Sequence, residues 1–107
     1  VYAASKSAVF GFTRSVAARY ASDNIRVNTI APALVETPMA LRAAQDATIG
    51  QFIKTKQPLD GGRIGRPEDL DGAALYFLSD ESRFTTGQTL AVDGGWSVSE
   101  GQIPNDR

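Results

Sequence analysis

Tyr20-Ala21-Ser22-Asp23-Asn24-Ile25-Arg26-Val27-Asn28-Thr29-Ile30-Ala31-Pro32 is the stretch whose reading decides the fold. Ser22-Asp23-Asn24 is a polar cluster of turn-forming residues, which stops one element and starts another. Ile25 to Ile30 is short and rich in β-branched side chains, as a strand is, and Ala31-Pro32 closes it. A helix, a tight turn and a strand make half of a βαβ unit, and such units build parallel sheets. An α/β protein follows from these thirteen residues and the helix before them.

That helix is read from Ala3 to Ala21. The stretch has no proline and a single glycine, and Val9, Phe12, Val16 and Tyr20 repeat at the i, i+3, i+4 spacing of one helical face. At its start stand Tyr2 and Lys6, four residues apart and so one turn apart on the same side. A phenol has a pKa of about 10, and a fixed positive charge within about 4–6 Å favours the phenolate. Lys6 is placed to supply that charge. A helix-start aromatic beside a solvated lysine is the plainer reading, and on these two residues alone both stay open. Val1-Tyr2-Ala3-Ala4 has no initiator Met and no capping side chain, so further residues are expected upstream.

Downstream of Pro32, the segment Ala33-Leu34-Val35-Glu36-Thr37-Pro38 reads as a loop leaving the carboxyl end of a strand, where open α/β sheets bind ligands. Met39 to Lys56 is loosely amphipathic, with Leu41, Ile49, Phe52 and Ile53 as its apolar residues. One or two short helices are expected there, interrupted near Gly50, and either a mobile substrate lid or an ordinary packed excursion suits them. Gly61-Gly62-Arg63-Ile64-Gly65-Arg66 lacks the G-x-G-x-x-G spacing and follows no strand, so it is not a phosphate cradle. It is read as the turn before a helix from Pro67 to about Ser79, with Glu68 and Asp69 complementing its positive start and Leu70, Ala74, Phe77 and Leu78 on one face. Gln88 to Val92 is a second strand, closed by the turn Asp93-Gly94-Gly95, and Ser97 to Arg107 is expected to be loosely held.

Composition narrows the function. Of 107 residues, 42% are hydrophobic and 21% charged, as in ordinary globular proteins. Eleven basic against twelve acidic side chains leave a net charge of -1, with no basic excess to neutralise nucleic-acid phosphates or an anionic membrane. Cysteine and histidine are absent, which removes disulfides, Cys/His metal sites and Ser-His or Cys-His nucleophiles. No apolar run reaches the roughly 20 residues of a membrane span. A cytoplasmic protein with no metal, no nucleic-acid partner and no membrane partner is expected.

Taken in order, Tyr2-x-x-x-Lys6, Asn28-x-Ile30-x-Pro32 with Thr37 following, Arg63-x-Gly65-x-Pro67-Glu68-Asp69, Thr86-Gly87-Gln88 and Val92-Asp93-Gly94-Gly95 resemble the C-terminal part of the short-chain dehydrogenase/reductase family. The resemblance runs from Tyr2 to Trp96. It implies the C-terminal part of a Rossmann-type doubly wound parallel sheet, with residues 1–107 as the C-terminal half of a single NAD(P)-binding domain. It further implies an NAD(P)-dependent oxidoreductase that interconverts a secondary alcohol and a carbonyl. Tyr2 would be the general acid/base, and Lys6 would hold the nicotinamide ribose and lower the tyrosine pKa. The loop of Pro32 and Ala33 would meet the nicotinamide carboxamide through backbone groups near Val35 and the hydroxyl of Thr37. Without the family, Thr37 reads as a turn-stabilising hydroxyl before Pro38.

One departure concerns Ala33, where the family usually has glycine; a methyl group there implies an altered pocket shape rather than lost binding. The family's glycine-rich loop and catalytic serine lie upstream of its tyrosine, so this chain alone is expected to bind a dinucleotide weakly and to be inactive. The resemblance implies that the intact enzyme is a homo-oligomer, a dimer or a tetramer. The alternative is a non-catalytic remnant serving as an interaction or oligomerisation module, with the small side chains of Ala4, Ala8, Gly11, Ser15 and Ala18 allowing close helix packing. NAD and NADP are not distinguished by these residues.

Overall fold

A computed structural model describes residues 2–99, and of Tyr2, Ala3 and Lys6 the backbone alone. Two compact units emerge, each built from two pieces of chain. The first takes the chain up to Ala31 and returns with Gly72–Leu90; the second takes Pro32–Asp71 and the chain from Ala91 onward.

The first unit opens with the helix α1, Tyr2–Tyr20, as the periodicity predicts. A 3-10 turn at Ala21–Asp23 follows, and Asn24 adopts the left-handed conformation (φ 62°) that ends it, so the polar cluster is a helix stop. The strand β1 covers Thr29–Pro32 and lies beside β2, Thr89–Val92, in a two-stranded sheet. Gly87 N–H donates to Val27 O at 2.8 Å and Thr29 N–H to Gln88 O at 2.9 Å. Both chains advance together from one bond to the next, which is the parallel arrangement.

The sequence places this strand from Ile25, whereas it starts at Thr29. Ile25 N–H is still tied to Tyr20 O at the end of the helix. Val27 N–H is taken by the Thr86 hydroxyl, and the Asn28 amide donates to Thr85 O while accepting from Gln88 N–H. Before Thr29 the backbone bond to Val27 O is thus supplemented by side chains in place of a regular ladder. Pro32 ends the strand, where its missing N–H costs no ladder bond.

The packed face of α1 is not the one formed by its large apolar residues. Ala17 and Thr13 are buried, whereas Phe12 is 69% exposed and Val9 and Tyr20 are open to solvent. Thr13 donates its proton to Val9 O at 2.9 Å, so in its short contact with Thr29 it is the Thr29 hydroxyl that donates. Two threonines and an alanine let the helix approach the chain at β1 and Gly87 closely. A Cβ at Gly87 (φ 73°) would stand 3.4 Å from that of Ala17. The small residues Ala4, Ala8, Gly11, Ser15 and Ala18 are all exposed. Helix α5, Asp71–Leu78, follows a 3-10 turn at Pro67–Leu70. Leu78, read as sharing one face with Leu70, Ala74 and Phe77, is 84% exposed. Ser82 is fully buried after it: its hydroxyl accepts from Arg26 at 2.7 Å and lies 3.1 Å from the carbonyls of Phe77 and Ser79.

In the second unit the predicted amphipathic segment is two helices, α2 (Pro38–Gln45) and α3 (Ala47–Lys56). The break falls at Asp46, whose carboxylate caps α3 by accepting from the N–H groups of Thr48 and Ile49. Gly50 lies inside α3 and does not interrupt it. A Cβ there would come within 2.7 Å of Ala44 O, so this glycine lets the two helices touch. A single turn, α4 (Leu59–Gly62), then bends through left-handed Asp60 and Gly61. Ser97 to Ser99, expected to be loose, are tied instead: the Ser99 hydroxyl donates to Thr55 O, Lys56 donates to Ser99 O, and Ser97 N–H donates to Asp93. The rest of that expectation, residues 100–107, lies outside the described residues.

Candidate active site

The residues expected to carry chemistry fall on two elements, α1 and the loop after β1. Tyr2 is the first residue of α1 and the helix is unbroken through residue 6, so the four-residue spacing is one helical turn. The Tyr2 and Lys6 side chains lie outside the described residues.

The loop is fully described. Pro32 is the last residue of β1, and Ala33 is half-buried. Among the described residues, Asn24 and Asp60 are the non-glycines with positive φ. Ala33 therefore occupies backbone that any residue tolerates, and the alanine is unstrained. Val35 forms a parallel bridge with Gly65. Its two hydrogen bonds flank Val35 rather than use it: Gly65 N–H donates to Leu34 O at 2.9 Å, and Glu36 N–H donates to Gly65 O at 2.8 Å. In extended chain, successive residues aim their peptide groups to opposite sides. The N–H and C=O of Val35 consequently point away from Gly65, along the other edge of the loop. Thr37 is the N-cap of α2, its hydroxyl accepting from Ala40 N–H at 3.1 Å, with Pro38 at the first helical position. This is the turn-stabilising role read from the sequence alone. A hydroxyl that accepts one bond keeps its own proton and a second lone pair for another partner.

Two features of the loop's support were not read from the sequence. Gln57, at the end of α3, is 2% exposed; its amide accepts from Leu34 N–H at 3.2 Å and donates to Leu34 O at 3.1 Å and Arg63 O at 3.3 Å. The second is an ion-pair cluster. Arg63 donates to Asp69 at 2.7 and 3.1 Å and to Asp60 at 2.6 Å, while Asp69 also accepts from Arg66 N–H. The hydrogen bond from Arg63, then that from the Arg66 backbone, holds the Asp69 pKa down to about 2 from 3.8. The same bonds, with Asp69 first and Asp60 next, raise that of Arg63. A cavity of about 250 Å³ opens beside this cluster, with Leu34, Gln57, Arg63 and Asp69 among its walls. The Arg63, Asp60 and Asp69 charges on its wall are committed to one another. No cluster of potential metal ligands occurs among the described residues.

Residues 1–97 match the family model described as enoyl-(acyl carrier protein) reductase. The chain belongs to the short-chain dehydrogenase/reductase family. Within that family it is 37% identical over 102 residues to 2-keto-3-deoxy-L-fuconate dehydrogenase of Xanthomonas campestris, covering 91% of this chain and 33% of that protein. It is 43% identical over 94 residues to the 3-oxoacyl-(acyl-carrier-protein) reductase of Thermotoga maritima, covering 88% and 37%. The chain thus spans about a third of the length of these short-chain dehydrogenases. Among solved structures, 4-hydroxyisoleucine dehydrogenase complexed with NADH superposes with a TM-score of 0.82 at 34% identity, over 92% of this chain and 40% of that one. A short-chain type dehydrogenase/reductase from Mycobacterium ulcerans gives the same TM-score at 33% identity, over 92% and 35%. Another relative, from Agrobacterium tumefaciens, carries bound NADP. The helices and parallel strands described above are therefore part of the family's α/β Rossmann sheet, as the helix, turn and strand at residues 20–32 predicted.

Proposed function

We propose that this chain is the proton-transferring, nicotinamide-facing segment of an NAD(P)-dependent oxidoreductase that interconverts a secondary alcohol and a carbonyl, forming the C-terminal half of one nucleotide-binding domain. The observation that carries the reading is the outward peptide edge of Val35, held open by a bridge that uses only its neighbours. A primary carboxamide presents one C=O and one NH2 group, the complement of the N–H and C=O of a single extended residue. Val35 fits that end of a nicotinamide, with Pro32 and Ala33 leading the backbone to it and the spare bonding capacity of Thr37 beside it. The bound dinucleotide supplies or accepts the hydride.

The remaining work falls to α1. Tyr2 passes its phenolic proton to the carbonyl oxygen in reduction and takes it back from the hydroxyl in oxidation. Lys6, one turn along the helix, favours the phenolate and holds the nicotinamide ribose. Relatives named as a 2-keto-3-deoxy-L-fuconate dehydrogenase and a 3-oxoacyl-(acyl-carrier-protein) reductase support this chemistry. Glycine-rich phosphate contacts are absent from this sequence, so residues 1–107 alone bind the dinucleotide weakly and do not turn over; that the working enzyme is a homo-oligomer rests on the family resemblance.

The test is made on the full enzyme that carries this segment. Tyr2→Phe lowers turnover by roughly 10²–10⁴-fold while NAD(P)H binding, followed by nicotinamide fluorescence, stays within about twofold. Lys6→Ala weakens both. Turnover surviving in Tyr2→Phe would refute the assignment.

A further inference from the structure

Gln57 is a buried amide that spends all its hydrogen bonds on main chain, and the chain it holds is the peptide before Val35. Its Oε1 accepts from Leu34 N–H and its Nε2 donates to Leu34 O, so one side chain grips both polar groups of a single residue, as a neighbouring strand would. The second Nε2 proton goes to Arg63 O. Gly65, two residues further on, donates to the same Leu34 carbonyl. The amide therefore ties the two segments that form the Val35–Gly65 bridge.

The side chain has no freedom to turn. Gln57 N–H caps α3 on Ile53 O at 2.7 Å, and a Cβ on Gly94 (φ 63°) would come within 2.7 Å of Gln57 Cγ. Asp93-Gly94-Gly95, read from the sequence as a plain turn beyond the last strand, presses its backbone on the Gln57 stem. Leu59 N–H donating to Gly94 O at 3.0 Å fixes that contact. Helix end, turn and loop are thereby locked through one amide.

We infer that Gln57 is a positioning residue: its clamp on Leu34 fixes the direction in which the Val35 peptide faces the nicotinamide carboxamide. This rests on the function proposed above. A grip on both groups of Leu34 sets the rotation of the loop about its own axis. Release of either bond leaves the Gly65 bridge alone to hold residue 35, so its peptide can tilt, and misaligned donors and acceptors lose a bond steeply with angle.

The experiment compares two ligands on the full enzyme: NADH or NADPH, whichever binds more tightly, and ADP-ribose, or its 2′-phosphate if NADPH is preferred, which lacks the nicotinamide. Gln57→Met keeps the length and removes all three bonds. Gln57→Glu keeps the acceptor and sets a carboxylate against two carbonyls. Both variants are expected to weaken the reduced dinucleotide by about tenfold or more while ADP-ribose affinity stays within about twofold. Equal weakening of both ligands would make Gln57 a general structural residue, and no weakening of either would make it idle; each result overturns the inference. A wild-type enzyme that binds ADP-ribose but gains nothing from the nicotinamide overturns the proposed function, and the clamp's role with it. Should both variants fail to fold, hydrogen exchange in the wild type decides. Protection of the Leu34 amide that rises at least tenfold with NAD(P)H but not with ADP-ribose supports the role, and equal protection with both removes it.

Discussion

Asp69 accepts hydrogen bonds from Arg63 and from Arg66 N–H, and both stabilise its ionised form, which holds the pKa near 2. A carboxylate more acidic in the folded than in the unfolded chain stabilises the fold above its ordinary value of 3.8, and that stabilisation fades as pH falls through about 2. Arg63 stays protonated throughout, so Asp69 sets the window. Asp69→Asn keeps an acceptor for Arg66 N–H and loses the titration. Thermal melts should show the wild type above the variant near pH 5, the gap closing between about pH 4 and pH 2 and shrinking in high salt, because both partners are about a third exposed. A gap constant down to pH 2 would remove the depressed pKa. Glu68 and Asp69 were read from the sequence as one pair of helix-start charges. The structure separates them, because a guanidinium six residues earlier reaches only the second, and such a partner leaves no trace in local charge patterning.

At the scale of elements, the sequence is most legible where local chemistry decides. The Ser22-Asp23-Asn24 stop needs only a left-handed residue, and Thr37-Pro38 is a turn that a short window contains, whereas the cap at Asp46 is missed by a reading that expects the break near Gly50. Legibility fails where a distant backbone decides. Ile25 to Asn28 have strand composition, yet apart from the Gly87–Val27 bond their links to the chain before β2 run through the Thr86 hydroxyl and the Asn28 amide rather than a ladder. Gln57 carries no periodic or motif signal, since its three partners lie 6 and 23 residues away. Gly50 and Gly11 make the contrast testable, both being helical glycines. A Cβ at Gly50 meets Ala44 O at 2.7 Å, while one at Gly11 meets nothing within 4 Å. Gly50→Ala should destabilise by about 1–3 kcal/mol, because helix backbones must separate. Gly11→Ala should stabilise by roughly 0.5–1 kcal/mol by removing unfolded-state freedom. Chemical-denaturant midpoints measure both. A neutral Gly50→Ala would remove the close approach of the two helix backbones at that glycine.

For the molecule as a whole, the decisive quantity is apolar surface left in water. Among the described residues the buried apolar side chains are Ala17, Ala31, Ala40 and Ile53, three of them alanines. In the first unit, Phe12, Leu75, Leu78 and Phe84 are 69, 67, 84 and 101% exposed. At about 25 cal/mol per Å² of apolar area, such side chains favour any contact that covers them, and soluble monomers rarely leave so many open. The periodicity on α1 marks an apolar face that the described residues leave in water, and the chain spans about a third of the length of these relatives. Residues 1–107 expressed by themselves should therefore self-associate at tens of micromolar, as sedimentation velocity would register. Replacing Leu78→Lys and Phe84→Ser together should move the population toward monomer without lowering the melting temperature, because neither side chain is packed within its own unit. A monomeric wild type, or a double variant that melts several degrees lower, would mean that these side chains are already covered by the chain itself.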